Sequence, residues 1–308
     1  MVKLKVLLTG GHGMVGRNVL EHPSIYLFDV LAPRSTELDL RNFTAVQEYL
    51  AHYSPDLIIH AAGKVGGIQA NIREPVNFLI DNLDIGRNIV LAAYQAGIKK
   101  LINLGSSCMY PRNYNEPLQE EKVLTGELEP TNEGYALAKI MTARLCQYIM
   151  QQNNRFQYKT LIPCNIYGRF DKFNPAHSHL LPAIIHKIHL AKVNSEQSVE
   201  IWGDGTARRE FMYAGDLADA IITAIRQLDT LPNSMNIGLG YDHTINEYYQ
   251  VAASVMGYSG SFEYDLTKPV GMRRKLVNIE KQKAWGWTAH HDLHTGIEKT
   301  YQYYLEQQ

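Results

Sequence analysis

Tyr135 and Lys139 flank Ala136-Leu137-Ala138, one helical turn apart, so on a helix they share one face. A free phenol has a pKa of about 10, and a neighbouring ammonium favours the phenolate, which suits a tyrosine to relay protons near neutral pH. Upstream, the apolar run ending at Leu104 leads into Gly105-Ser106-Ser107-Cys108. There the Ser106 hydroxyl could hydrogen-bond the same substrate oxygen as hydride arrives at its carbon. The chemistry these residues offer together is carbonyl reduction. Singly, each has a plainer reading, because Y-x-x-x-K pairs are common on helix surfaces and a serine at a strand end is commonly a turn former. It is their order along the chain that makes the set.

A hydride needs a carrier, and the start of the chain offers a place for one. The apolar run from Val6 to Thr9 ends in Gly10-Gly11-His12-Gly13-Met14-Val15-Gly16. Gly10 and Gly13 would permit a tight turn with backbone N–H groups close to a pyrophosphate, and Gly16 would let the following helix pack on the strand. Asp29 is the acidic candidate for a ribose 2′-hydroxyl near the end of the second strand. Arg34, with His12, offers positive charge for a 2′-phosphate. These residues favour NADP(H) as the expected cofactor, beside the plainer reading of Asp29 and Arg34 as solvated loop residues. The pairs His177/His179 and His186/His189 raise the question of a metal, but no carboxylate or thiolate cluster completes a site, and none is expected.

The elements that must hold these residues follow from the patterning. Between residues 3 and 171, the runs KVLLTG, SIYLFDV, DLIIHAAG, KLINLGSS and YKTLIPCN alternate with amphipathic stretches, which predicts an α/β fold with a doubly wound parallel sheet of Rossmann type. Ligands then bind beyond the strand C-termini. After Asn165 the pattern loosens, with helices predicted over 215–227, 244–256 and 293–304. The expectation is an NADP(H)-binding domain over 1–170 and a smaller, mainly substrate-binding lobe over 171–308. Strand candidates near Val199 and Met235 could return to the first sheet, so the two would interleave.

Composition excludes other classes. The 308 residues are 45% hydrophobic and 20% charged, with 30 basic against 31 acidic side chains and a net charge of -1. Such a chain has no long-range positive field to gather nucleic acid or an anionic membrane, and neither is an expected partner. The N-terminal apolar run is too short for a signal segment, and nothing approaches a membrane span. Three cysteines without C-x-x-C spacing indicate neither a disulfide framework nor a zinc knuckle, and a cytoplasmic location is expected.

With these residues in place, the sequence resembles the extended short-chain dehydrogenase/reductases, and among them the epimerase-reductases of GDP-4-keto-6-deoxy-mannose. The likeness spans nearly the whole chain through GHGMVG, AAGKVGGIQAN, NLGSSCMYP, LEPTNEGYALAK, PCNIYG, HSHLLPA, IWGDGTARREF and RRKL. It implies epimerisation at C3 and C5 beside a C4 ketone, followed by NADPH-dependent reduction to GDP-L-fucose. Cys108 matches the family's base and His179 its acid, with Ser106, Tyr135 and Lys139 as the reductase residues. Cofactor-side matches are Gly10, Gly13, Met14, Val15, Gly16, Arg34, Asp39, Leu40, Ala61, Ala62, Lys139, Asn165 and His179. Substrate-side matches are Lys64, Lys187, Trp202, Arg209 and Lys275, the last two near the diphosphate. A homodimer packed through the helix of Tyr135 and Lys139 is implied as well.

The chain departs from the family at His12 and Lys187, where arginine is common, and at Val270, where Lys-Pro-Asp becomes Lys268-Pro269-Val270. The first bears on NADP against NAD and the others on the sugar. An alternative is therefore a C4-reductase of another GDP-4-keto-6-deoxy sugar, such as a 6-deoxy-heptose. A third reading, from another class, is a dinucleotide-binding regulator without turnover, against which the intact Ser106, Tyr135 and Lys139 argue.

Overall fold

The computed structural model describes residues 3–114, 116–174, 178–268 and 272–308. His177, Pro269 and Val270 fall outside the described residues. The first half runs β1 (Leu4–Thr9), α1 (Met14–Leu20), β2 (Phe28–Leu31), α2 (Phe43–Tyr53), β3 (Leu57–His60), α3 (Ile68–Arg73), α4 (Pro75–Gln95), β4 (Lys100–Leu104), α5 (Glu133–Gln152) and β5 (Gln157–Pro163). The second half runs β6 (Asn165–Tyr167), α6 (Leu180–Val193), β7 (Ser198–Trp202), β8 (Arg208–Arg209), β9 (Phe211–Tyr213), α7 (Ala214–Arg226), β10 (Ser234–Ile237), β11 (His243–Thr244), α8 (Ile245–Met256), β12 (Ser261–Asp265), β13 (Arg274–Lys275), α9 (Glu280–Trp285) and α10 (Leu293–Glu306).

Six strands form one parallel sheet in the order β10-β5-β4-β3-β1-β2. It is doubly wound because successive side chains of buried strands feed opposite faces. Val6 and Leu8 join Val19, Leu217 and Ile221 under α1 and α7. Leu7 between them joins Val46, Leu50, Ile89 and Ile149 on the other side. A third cluster, including Ile184, Ile188, Ile201, Tyr248 and Ile297, forms the core beneath α6, α8 and α10. Each of these fully buried aliphatic chains contributes about 1.5–3 kcal/mol of transfer free energy.

Two strand expectations resolve differently. The strand around Met235 does return to the large sheet, as β10 beside β5. The one around Val199 does not, since β7 pairs instead with β12. The run SIYLFDV is also shorter as a strand than its composition suggests. Its first register pair is Leu4 with Phe28, so residues before Phe28 have no partner on β1 and close a 3-10 turn, Ile25–Leu27.

Tight backbone contacts set the first loop. Gly10 has φ +73°, and a Cβ there would lie 2.7 Å from the Ala62 nitrogen. Gly16, inside α1, faces the loop so closely that a Cβ would sit 2.2 Å from the Gly10 carbonyl oxygen. The helix can dock on the strand end only without a side chain there. Among the described residues no helix is long and apolar enough to cross a membrane.

Candidate active site

The C-terminal ends of β1, β3, β4 and β5 meet where α5 crosses, and there Ser106, Cys108, Tyr135 and Lys139 come together. Ser106 caps the 3-10 turn Ser107–Met109 that follows β4, its Oγ accepting from the Cys108 backbone N–H at 3.4 Å. The turn swings Cys108 back, so that its thiol donates to the same Oγ at 3.1 Å. Lys139 is buried in α5 and donates from Nζ to the Leu104 carbonyl oxygen at 3.0 Å, tying the helix to the strand that delivers Ser106. Its ammonium lies 5.8 Å from the centre of the Tyr135 ring.

The electrostatics correct one expectation. Lys139 was to draw Tyr135 toward the phenolate, but burial dominates and raises the phenol, Cys108 raises it further, and hydrogen bonding to Ser106 offsets this only in part. Tyr135 is thus held as a proton donor, the form that an alkoxide needs. Burial likewise lowers the Lys139 pKa to about 8, against a smaller raising effect of Cys108. The Cys108 thiol is pushed up by burial, while Lys275, the Ser106 hydrogen bond and Lys139 act in the opposite direction. Beneath them His60 is fully buried beside Thr9, with Nδ1 2.9 Å from the Thr9 Oγ1. Burial and the nearby Lys139 lower its pKa to about 3, so it stays neutral.

The candidate cofactor cradle lies at the ends of β1 and β2. Gly13 is the exposed residue opening α1, with Met14 and Val15 half-buried behind it. Ala61 N–H donates to the Thr9 carbonyl oxygen and Ala62 N–H to the Thr9 Oγ1, which closes the loop floor. Arg34 is exposed in the loop after β2, and His12 Nε2 lies 3.2 Å from the Ala32 carbonyl oxygen of that loop. Asp29 belongs elsewhere: it pairs with Lys5, four residues before Thr9, which at strand rise is about 13 Å from the loop. Asp39 is spent on Arg41, whose Nε and Nη2 each approach a different carboxylate oxygen at 2.9 Å. The Leu40 side chain is in the core, with its carbonyl accepting from Asn88.

The substrate-side residues divide. Arg209 and Lys275 are register partners on β8 and β13. Burial lowers the pKa of each; Arg209 lowers that of Lys275 further, and Glu129 acts in the opposite direction on both. Trp202, at the end of β7, is exposed and donates from Nε1 to Glu200 at 2.8 Å; Lys187 and Lys268 lie 5.4 and 5.5 Å from its ring centre. Lys64 is not a free cation, since its Nζ is 3.2 Å from both Glu74 and Asp81. Asn165 donates to the Glu210 carbonyl oxygen. His179 is the exposed residue opening α6, its pKa lowered by the surrounding protein and by Lys172.

Glu129 and Glu210 escaped the sequence reading. Glu210 is buried, and its carboxylate accepts from the N–H groups of Leu239, Gly240 and Val277, which pins the segment following Lys275 to the end of β10. Its place between Arg209 and Phe211 was the one available signal, because a carboxylate inside a buried stretch must find partners. Among the described residues no cluster of histidine, cysteine and carboxylate groups could hold a metal ion.

A parallel six-stranded sheet with a glycine-rich first loop, and a Ser-Tyr-Lys set at its C-terminal edge, defines a nucleotide-dependent epimerase or reductase. The model of the NAD dependent epimerase/dehydratase family matches residues 6–238, and the chain belongs to that family. It is 53% identical over 304 residues to GDP-L-colitose synthase of Yersinia pseudotuberculosis, covering 99% of each chain. It is 51% identical over 301 residues to GDP-L-fucose synthase of Azorhizobium caulinodans, covering 98% of this chain and 96% of the other. Among solved structures, the GDP-mannoheptose C4 reductase from Campylobacter jejuni with NADP bound superimposes with a TM-score of 0.89 at 30% identity, covering 98% of each chain.

Proposed function

We propose that this chain binds NADP(H) and a GDP-linked 4-keto-6-deoxy sugar, and converts GDP-4-keto-6-deoxy-D-mannose to GDP-L-fucose by 3,5-epimerisation and 4-keto reduction. The observation that carries this reading is the 3.1 Å contact between the Cys108 thiol and the Ser106 Oγ. It brings a group able to take a proton from carbon beside the hydroxyl that holds the ketone oxygen. The names of the two relatives above 50% identity, both GDP-sugar synthases, support the same substrate class.

The cradle suits a dinucleotide with a 2′-phosphate. The loop around Gly10 admits close backbone approach, Arg34 is exposed beside it, and no acidic side chain stands at that point of β2. NADPH, when bound, supplies the hydride for C4. Ser106 keeps its proton and donates a hydrogen bond to the substrate's C4 oxygen, which acidifies C3 and C5 and stabilises the enolate formed at either. Cys108, as thiolate, removes the proton from carbon; burial opposes its ionisation, and Lys275, Ser106 and Lys139 counter part of that effect. His179 returns a proton to the opposite face. After epimerisation Tyr135 gives its phenolic proton to the C4 alkoxide. Arg209 and Lys275 hold the diphosphate, the guanidinium in a fork and the ammonium as a point charge.

A second reading has a specific observation in its favour, the 53% identity to a GDP-L-colitose synthase. Colitose is the 3-deoxy counterpart of fucose, so only C5 would invert while the same residues acted. A GDP-linked 6-deoxy-heptose is a further substrate of the same chemistry. The deciding experiment follows NADPH oxidation across GDP-4-keto-6-deoxy-mannose, its 3-deoxy analogue, a 4-keto heptose and dTDP-linked counterparts. The proposal expects the first to give the highest kcat/KM; preference for the 3-deoxy analogue would establish the second reading, and preference for a dTDP sugar would overturn both.

Six apolar side chains are solvent-exposed on adjoining helices: Ile68 and Ile72 on α3, Val76 and Ile80 on α4, and Leu137 and Tyr148 on α5. We assign this face to a second copy of the chain, which would bury it as a homodimer. The buried, unpaired Cys108, Cys146 and Cys164 fit a reducing cytoplasm.

A further inference from the structure

We propose that Asp242 is a positioning residue for nucleotide binding, a buried carboxylate that clamps the two strands presenting Arg209 and Lys275. The inference rests on the assignment of those two cations to the diphosphate. Asp242 lies just before β11 in the three-stranded sheet β11-β8-β13, and its side chain is almost fully buried. Arg208 Nε donates to its Oδ1 at 2.7 Å and Arg274 Nε to its Oδ2 at 2.5 Å. Arg208 also reaches the Asp242 carbonyl oxygen through Nη2 at 2.7 Å. One carboxylate thus bridges one arginine from β8 and one from β13.

The two arginines are register partners, as are the residues that follow them, Arg209 and Lys275. Successive side chains on a strand leave opposite faces, so the pair held by Asp242 and the pair assigned to the diphosphate sit on opposite sides of the same two strands. Four cations therefore occupy four neighbouring positions. On the Arg208 face the other facing carboxylate is Glu247, 3.9 Å from Arg208, more exposed and already engaged with Thr244. Without the Asp242 charge, like charges would push β13 from β8 and shift Lys275 relative to Arg209. Backbone bonds at Arg273, Leu276 and Val277 hold the segment at either side of this pair, so the side-chain bridge is what sets the spacing of Lys275 and Arg209 themselves.

The test is titration calorimetry with GDP, together with steady-state kinetics, on Asp242→Asn. The expected result is a loss of GDP affinity and a rise in KM for the nucleotide sugar, each about tenfold, with kcat and NADPH affinity within about twofold of wild type. Adding Arg208→Met to Asp242→Asn removes one of the repelling charges and should recover part of the GDP affinity. Unchanged GDP affinity in a folded Asp242→Asn protein would overturn the proposal. Equal losses in GDP affinity, NADPH affinity and kcat would reduce Asp242 to a general structural role and overturn it as well. Failure of the wild-type protein to bind GDP would instead overturn the nucleotide assignment on which it stands.

Discussion

At the scale of single residues, the set divides into groups that packing brings into contact and groups that the fold merely brings to the same cleft. Ser106, Cys108, Tyr135 and Lys139 are the first kind; Ser106, Tyr135 and Lys139 were legible because a strand end and an i, i+4 pair each fix a direction in space, whereas Cys108 entered through the family resemblance. What could not be read was their charge state, because burial depends on what the rest of the chain places overhead. Tyr135→Phe should remove reduction while leaving NADPH affinity within about twofold, since the lost phenol gives a proton and holds little else; reduction that survives would refute the assignment. The lowered Lys139 pKa has a sign that can be checked. The ammonium is present below about pH 8 and lost as pH rises through it, so the reduction rate should fall on that limb. Lys139→Arg, charged throughout, should move the fall to higher pH, and an unmoved profile would mean that another group titrates.

At the scale of elements, the alternation of short apolar runs with amphipathic stretches was enough to predict a doubly wound sheet, because parallel strands must be apolar on both faces. It could not say which later strand would return to the sheet. Val199 and Met235 sit in similar local patterns, yet only the second finds a free edge, beside β5, while the first is taken by β12. Lys64 shows the same limit, for nothing local announces that Glu74 and Asp81 will neutralise it. The first helix was well marked, and Gly16 tests why. A methyl group there meets backbone at 2.2 Å, which cannot yield as a side chain would. Gly16→Ala should destabilise the fold by about 1–3 kcal/mol, visible in denaturant midpoints, and weaken NADPH binding in parallel. Wild-type stability with intact binding would show that the loop has more freedom than this packing allows.

At the scale of the whole molecule, the exposed face of α3, α4 and α5 backs directly onto the site, because α5 carries both Tyr135 and Lys139. Burying it against a second copy would stiffen the helix that aims the proton donor. Sedimentation should therefore report a dimer, and Val76→Glu with Leu137→Glu should yield monomers; a wild-type monomer would remove this role for the face. Motif order gave access to the reductase half of the account, and the resemblance to a family supplied the epimerase half, since no spacing rule singles out a lone cysteine and a distant histidine.

Whether one pocket performs both halves is the central claim, and heavy water tests it most directly. With NADPH and GDP-4-keto-6-deoxy-mannose in deuterated buffer, the product should be GDP-L-fucose carrying solvent deuterium at C3 and C5. With Cys108→Ser that label should vanish, while an already epimerised ketone is still reduced. A C4-reduced product of unchanged C3 and C5 configuration, free of solvent deuterium in the wild-type reaction, would contradict the account and leave a simple ketone reductase.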